Sequence, residues 1–320
     1  MAMFTFGFLL MGGIYCKTKH RFGQWIVSAP ENSNTNLSWV NFIWTNDSLG
    51  NRYFERTAMF IPVKIEGLPN TFLFQFDLGA NITMLYGRPL KSTISKYPQF
   101  NRLQRYKSFL QLRKDQSAFK DLSFLFGEAR ASTKTCYVME NFGAQIPVEL
   151  LSDSSIITIG TIGADLFQSK ILVLDYPNQR FAVCDTLPGK LQTSFVDISL
   201  DRYGRVIIPL QLNKKSYHVM FDNGSSLFPL LVSDEKINLF SMAASTDTIE
   251  ISSWGRTHKV IGRPLQAQFH LGGQAFSDII IYADYRKEAS TTDYDAVAGN
   301  ALFWDKMVII DFKHKKFAIK

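Results

Sequence analysis

A repeat within the chain constrains its fold more than any other feature of the sequence. Residues 163–183 (GADLFQSKILVLDYPNQRFAV) align without a gap with residues 299–319 (GNALFWDKMVIIDFKHKKFAI), at a constant offset of 136. Seven of the 21 aligned positions are identical, and most of the others exchange similar residues. An ungapped match of this length at one fixed spacing indicates two copies of one structural unit.

A second matching pair lies at the start of each unit. Residues 61–80 (IPVKIEGLPNTFLFQFDLGA) parallel residues 208–226 (IPLQLNKKSYHVMFDNGSS), with a turn two residues shorter in the second copy. In both copies two apolar runs flank a turn, which is typical of a β-hairpin. Each hairpin ends in Phe-Asp, one variable residue, Gly and a small residue. The sequence therefore predicts that the chain from about residue 56 is a tandem pair of β-rich units.

The segments around these blocks are less regular. Residues 22–50 are polar and rich in Asn and Ser, so we expect a loop or lead-in there. Residues 87–119 are basic and polar with some helical spacing, residues 120–185 hold several strand-like runs, and residues 185–192 are typical of a linker. Many of the 27 Phe residues lie within runs of Val, Ile and Leu, which favours strands over helices. The expected fold class is all-β.

The charge balance is basic but does not indicate a nucleic-acid-binding protein. The 320-residue chain has a formal net charge of +7, with its densest basic clusters at residues 17–21 and 313–316. Neither cluster lies in a nucleic-acid-binding motif, so we interpret both as solvated edges and expect no nucleic-acid partner. The length is sufficient for one large or two medium domains with a sizeable core.

The N-terminal residues 1–16 form an apolar run that ends at Cys16. This run is short for a helix that crosses a bilayer, and it is similar to a secretory signal that is followed by basic residues. Lipid attachment at Cys16, as in a bacterial lipoprotein, is a second interpretation. We expect an exported protein, and the alternative is a cytoplasmic chain that starts with a buried strand. Residues 17–50 would then be a polar lead-in, and no later stretch predicts an integral membrane domain.

The cysteines leave two interpretations open. Cys136 and Cys184 could pair in an oxidising compartment, or both could be buried free thiols. Together with Cys16 they form neither a C-x-x-C motif nor a metal-ligand spacing.

The two Asp turns resemble those of a known family. Pepsin-like and retropepsin-like aspartic proteases have two β-domains, and each domain opens with hydrophobic-Asp-Thr/Ser-Gly-Ala/Ser and closes with two apolar residues and Gly. The resemblance covers nearly all of residues 56–320, and it implies two similar β-barrel lobes, 51–188 and 189–320, with a cleft between them. The positions that it carries over are the catalytic pair Asp77 and Asp222, the turn residues Gly79, Ala80, Gly224 and Ser225, and the supporting Gly163 and Gly299.

Paired carboxylates can hydrolyse a peptide bond without a metal, a cofactor or a covalent nucleophile. Two carboxylates held close together cannot both ionise cheaply, so they keep one proton between them. One oxygen then acts as a base on water while the protonated partner donates to the substrate carbonyl. The resemblance therefore implies an aspartic endopeptidase that acts as a monomer on peptides or unfolded proteins. Motifs of serine hydrolases, zinc proteases and nucleotide-binding proteins are lacking in the sequence.

The residue between Asp and Gly departs from the family pattern. Active members have Thr or Ser there, and its hydroxyl ties the two turns together, whereas this chain has Leu78 and Asn223. Leu cannot form this hydrogen bond, but Asn can donate and accept, so half of the tie could persist in altered form. The alternative function is therefore a catalytically inactive relative that binds peptides or proteins in the cleft. A third interpretation treats both Asp residues as ordinary turn residues.

The sequence shows no clear lid over the site. The first-lobe segment in which we looked for one, residues 117–139, lacks a decisive Tyr-Gly signature. A site without a lid would exclude water poorly during the reaction.

Overall fold

The computed structural model describes residues 37–49, 52–106, 115–152, 157–253, 256–284 and 294–320, which consist mainly of strands. The first half contains β1 (Val40–Asn41), β2 (Ile43–Leu49), β3 (Arg52–Ile65), β4 (Thr71–Phe76), β5 (Met84–Tyr86), α1 (Gly87–Lys96), β6 (Gln104–Tyr106), β7 (Gln116–Phe126), β8 (Ala129–Met139), β9 (Thr158–Ile162), β10 (Ile171–Asp175) and β11 (Arg180–Cys184). Short 3-10 helices lie at Pro98–Phe100, Val148–Leu150, Ala164–Phe167, Gly189–Leu191 and Asn300–Leu302.

The second half also consists mainly of strands, and its described residues contain a single short α-helix. It contains β12 (Val196–Asp197), β13 (Ser199–Leu200), β14 (Val206–Leu212), β15 (Lys215–Phe221), β16 (Leu230–Ser233), α2 (Ile237–Phe240), β17 (Asp247–Ser253), β18 (Arg256–Leu265), β19 (Phe269–Leu271), β20 (Gln274–Phe276), β21 (Ile279–Asp284), β22 (Ala296–Ala298), β23 (Met307–Asp311) and β24 (Lys316–Ile319). The predicted all-β fold class is confirmed.

Three sheets divide the molecule into two lobes and a shared layer. The first lobe is a sheet of eight strands in the order β2-β3-β4-β9-β5-β8-β7-β6, and an additional pairing of β3 with β7 curls it toward a barrel. The second lobe is a sheet in the order β17-β18-β21-β16-β22-β15-β14-β19-β20, with β13 attached to β14. A six-stranded sheet, β1-β11-β10-β23-β24-β12, takes strands from both halves and joins the lobes.

The joining sheet has a local two-fold axis at its centre. β10 and β23 run antiparallel, and Val173 lies directly opposite Ile309. These two residues are 136 positions apart, which is the offset of the closing blocks in the sequence. Equivalent positions therefore face each other, and such an axis places the two Asp turns on the same side of this sheet.

The hairpins that lead to the turns form as the alternating sequence predicts. β3 pairs with β4 and β14 with β15, and the apolar side chains of these strands are largely buried. Phe76 and Phe221, which precede the two Asp residues, are fully buried in one core that extends through both lobes. Because both approach strands are fixed in this core, the turns that follow them are held in place.

One part of the prediction is wrong. For residues 22–50 a loop or lead-in is predicted, but β1 pairs with β11 and β2 pairs with β3 over residues 40–49. Residues 22–36 and 50 lie outside the described residues. Residues 37–39 are described without regular structure. β1 pairs with the distant β11, whereas β2 pairs with β3, which follows it directly. None of the β2 side chains is fully buried, so the polar composition of the segment did not indicate a strand.

Three further predictions concern the N-terminal segment, the cysteines and membrane-spanning helices. The signal or lipid-anchor interpretation of residues 1–16, including Cys16, lies outside the described residues and stays a prediction. Cys136 and Cys184 are both free thiols, so the second of the two cysteine interpretations applies, although Cys184 is only partly buried. None of the helices in the described ranges has the length and apolar composition needed to span a membrane.

Candidate active site

Each of the two Asp residues follows a strand that is fixed on both sides. The backbone N–H of Asp77 donates to the carbonyl of Ile162 at 3.0 Å, and that of Asp222 donates to Ala298 at 2.9 Å. These bonds continue the parallel pairings of β4 with β9 and of β15 with β22. The two lobes therefore present their aspartates in the same way.

Each turn directs a backbone N–H at the carboxyl of its own Asp. The N–H of Ala80 donates to Asp77 Oδ1 at 2.9 Å, and the N–H of Gly224 donates to Asp222 Oδ1 at 2.8 Å. The N–H groups of Ala80 and Ser225 also donate to the backbone carbonyls of Asp77 and Asp222, both at 3.1 Å. Backbone donors directed at a carboxylate favour its charged form, so each turn supports an ionised Asp.

The structure brings Asp77 and Asp222 into contact, although 145 residues separate them in the chain. Each turn glycine lies against the opposite carboxyl: a Cβ added at Gly224 would be 2.5 Å from Asp77 Cγ, and one added at Gly79 would overlap the Asp222 carboxyl. The two carboxyls are close enough for each to affect the pKa of the other. Only glycine at both positions permits this approach.

Burial raises the pKa of both carboxyls, because neither Asp77 nor Asp222 is exposed. The negative charge of Asp222 raises the pKa of Asp77 further, well above the ordinary range. The N–H of Gly224 and the charge of Arg205 oppose the increase in the pKa of Asp222. A buried pair of this kind titrates as one unit and keeps a single proton over a wide pH range.

Leu78 and Asn223 form half of a tie between the turns. The backbone N–H of Leu78 donates to Asn223 Oδ1 at 2.6 Å across the lobe boundary. The Leu78 side chain is fully buried in the main core and offers no bond in return. The amide therefore does part of what a hydroxyl at this position would do, as the donor and acceptor capacity of Asn suggested.

A buried polar network behind the second turn includes two residues that the sequence did not indicate. Asn300 Nδ2 donates to the carbonyl of Asn223 at 2.5 Å and to Ser226 Oγ at 3.0 Å, and Tyr176 donates to Asn300 Oδ1 at 2.6 Å. Asn300 follows the predicted Gly299, but the first-lobe equivalent is Ala164, so the repeat gave no signal for it. The network fixes the backbone of the second turn.

The supporting glycines lie directly behind the turns. A Cβ at Gly163 would be 2.9 Å from the backbone carbon of Ile82, and one at Gly299 would overlap the carbonyls of Ser225 and Phe228. The N–H of Gly163 donates to Thr83 Oγ1 at 3.0 Å. Both glycines therefore allow the strand behind each Asp turn to approach its backbone closely.

The small residues Ala80 and Ser225 are both buried beside the carboxyls. The hydroxyl of Ser225 has no hydrogen-bond partner within the described ranges. The Oδ2 atoms of Asp77 and Asp222 likewise have no hydrogen-bond partner in this part of the chain. The described residues contain no cluster of three or more His, Cys, Asp or Glu side chains that could hold a metal ion.

The β7–β8 hairpin, at residues 117–139, does not form a lid over the site. Residues 117–139 fall in β7 and β8, and the turn between these strands contains Gly127. A Cβ at Gly127 would be 2.8 Å from Ser38 Oγ and 3.1 Å from Val40 Cγ2. The turn therefore packs beside the joining sheet and does not cover the aspartates.

Comparisons with known proteins found similarity to solved structures but not to family models or curated sequences. No family model matches the chain, and no curated protein matches it. Among solved structures, the chain is similar to an aspartic proteinase from Irpex lacteus, with 11% sequence identity and a TM-score of 0.46. The alignment covers 88% of this chain and 96% of that one.

Proposed function

We propose that the protein is an aspartic-type endopeptidase in which Asp77 and Asp222 activate water for attack on a peptide bond. The observation that supports this most strongly is the proximity of two fully buried carboxyls, each packed on the glycine of the opposite turn. A pair of acidic groups with raised pKa values at one point is typical of a functional site. Two unrelated turn aspartates would have no reason to be buried against each other, because this burial costs free energy.

The chemistry needs only the pair and a water molecule. The ionised carboxyl takes a proton from the water, whose oxygen attacks the carbonyl carbon, and the protonated carboxyl donates to the carbonyl oxygen. The resulting tetrahedral intermediate then breaks its C–N bond, and the leaving nitrogen receives a proton from the pair. Acid–base catalysis of this type contributes about 10²–10⁴-fold in rate.

The altered hydrogen bonding between the two Asp turns supports a second function. Leu78 contributes only a backbone donor to the contact between the turns, so the pair is held from one side. A displacement of about 1 Å can cost roughly 10²-fold in rate. A protein with this site could therefore bind peptides in the cleft without hydrolysing them at a useful rate.

A cleavage assay tests the first proposal. Purified full-length protein is incubated with an unfolded protein and with a peptide library from acid to neutral pH, alongside Asp77→Asn, Asp222→Asn and Asp311→Asn. Asp311 is a partly buried carboxyl outside the site, so its variant controls for the loss of an acidic side chain. We expect cleavage by the wild type and the control and none by the two site variants.

The cleavage rate should fall both below and above an optimum pH, because the reaction needs a single proton on the carboxyl pair. Cleavage that persists in either site variant would refute the endopeptidase proposal. Peptide binding without cleavage at any pH would support the second function.

A further inference from the structure

The hairpin of β2 and β3 reaches from the first lobe into the second. Leu49 and Phe54, near its end, pack against an apolar cluster of the second lobe. We call Leu49, Arg52 and Phe54 the hairpin tip. We call the group that receives it the second-lobe cluster, which includes Met220, Phe228, Ile249, Ile251, Tyr282 and Val297.

The second-lobe cluster lies on the face of the sheet that carries Asp222. Met220 precedes Asp222 by two residues, and alternate side chains of a strand point to the same face. Phe221, between them, is buried in the main core on the opposite face. Val297 pairs with Met220 on the neighbouring strand. The hairpin tip therefore occupies an apolar surface that continues to the candidate catalytic carboxyl.

An ion pair holds the hairpin tip to the second lobe. Arg52 Nη1 donates to Asp247 Oδ1 at 2.6 Å, and Tyr282 donates to Asp247 Oδ2 at 3.0 Å. The Arg52 guanidinium also lies 4.9 Å from the centre of the Phe54 ring. The Arg52 side chain is 52% exposed and that of Asp247 19%, and an ion pair with one partner largely in solvent contributes little stability. The ion pair therefore fixes the position of the hairpin tip but contributes little free energy to its attachment.

A bulge separates the hairpin tip from the base of the hairpin. The pairing register of β2 and β3 shifts between Thr45 and Asp47, and Arg56 opposite has a φ of 58°. A bulge bends a strand and interrupts its ladder of hydrogen bonds, and a left-handed conformation is strained for arginine. Beyond the bulge, Met59 Sδ lies 3.7 Å from Asn223 Nδ2, so the base of the hairpin stays beside the site.

Building on the proposed function, we propose that the hairpin tip is a displaceable internal occupant of the second-lobe half of the cleft, and that an extended apolar peptide must replace it to reach Asp222. The bulge is the point at which the tip would swing away. The surface that it would leave consists of aliphatic and aromatic side chains, so the site would favour substrates with large apolar residues on that side of the scissile bond. In the resting protein the tip inhibits the site.

Hydrogen exchange and binding test this inference together. The probe is an apolar hexapeptide that contains statine, whose hydroxyl mimics the tetrahedral intermediate. Deuterium uptake of residues 43–49 and 52–57 is measured in the full-length wild type with and without the probe. We expect the probe to increase uptake in these segments while β4 and β15 stay protected. Unchanged or lower uptake with the probe bound would show that the hairpin is a fixed wall of the site.

Binding to variants provides the second readout. The apparent dissociation constant of the probe depends on the fraction of molecules with the tip displaced. We expect the double variant Arg52→Ala, Phe54→Ser to bind on the order of tenfold more tightly than the wild type, since it loses an exposed ion pair and part of an apolar contact. Arg130→Ala is the control, because Arg130 is about as exposed as Arg52 and forms a pair with Glu66 at 2.7 Å outside the second-lobe cluster.

The outcomes separate this inference from the proposed function. Equal or weaker binding by a folded double variant, or no binding by either protein, would overturn the inference. If the double variant does not fold, the exchange result on the wild type decides. Displacement of the tip without any hydrolysis of peptides would leave this inference standing and refute the endopeptidase proposal.

Discussion

At the scale of single residues, Asn223 links the two Asp turns through its side chain and the polar network behind the second turn through its backbone. It accepts the N–H of Leu78 from the other lobe, and its own carbonyl accepts from Asn300. The first bond involves the side chain, whereas the second involves only the backbone. A substitution at this position therefore changes the tie between the turns and leaves the network behind the turn in place.

A pair of nearly isosteric variants isolates this bond. Asn223→Thr keeps an acceptor for the Leu78 N–H, whereas Asn223→Val removes it and leaves a buried donor unsatisfied. We expect the valine variant to be less stable than the threonine variant by about 1–3 kcal/mol, measured by urea unfolding at one pH. Peptide cleavage should fall more in the valine variant. Equal stability of the two variants would show that the bond contributes nothing to the fold.

The sequence allowed part of this site to be predicted. Asp77 and Asp222 were chosen as a pair because both follow Phe and precede x-Gly in matching blocks. Asn300 and Tyr176 could not be found in this way, because their importance arises from contacts between distant segments. A repeat indicates residues that the two halves share, and it gives no signal for a residue that only one half uses.

At the scale of elements, the two Asp turns function as one unit because each packs on the other. Their glycines permit backbone and carboxyl to approach more closely than any side chain would allow. The turns are thus complementary across the lobe boundary, and a change in one turn acts on the carboxyl of the other.

Gly224→Ala tests this complementarity. The added methyl would meet the Asp77 carboxyl, so that carboxyl or the turn must move. We expect a loss of stability of about 1–3 kcal/mol, the usual cost of overpacking, and a loss of cleavage. Gly189→Ala is the control, because a Cβ there has no neighbour within 4 Å. Its thermal unfolding should match that of the wild type, and a similar loss in both variants would contradict the account.

The elements themselves were predictable to different degrees. The hairpins before the turns form from segments that carry both of their own strands, so alternation and turn residues were sufficient to indicate them. β1 was missed because its strand pairs with the distant β11. β2 pairs with the adjacent β3, but it was missed because its sequence is polar and none of its side chains is fully buried. Local composition favoured a loop there, and the tertiary pairing overrode it.

At the scale of the whole molecule, the site exists only because two lobes meet. The joining sheet places equivalent residues of the two closing hairpins opposite each other, and the same relation brings Asp77 to Asp222. The order of blocks in the sequence indicates two similar units, and the family resemblance implies that their Asp turns meet. The crossing of the hairpin tip into the second lobe was not predictable, because no repeated motif marks it.

The most direct test of the central claim is a carboxyl NMR titration of Asp77 and Asp222 in the wild-type protein and in Asp222→Asn. We predict that the two wild-type signals change together, and that one proton stays bound well above the ordinary aspartate pKa of about 3.9. The Asp77 signal should titrate differently once Asp222 is replaced. Two independent titrations near the ordinary value, unaffected by the substitution, would contradict the account.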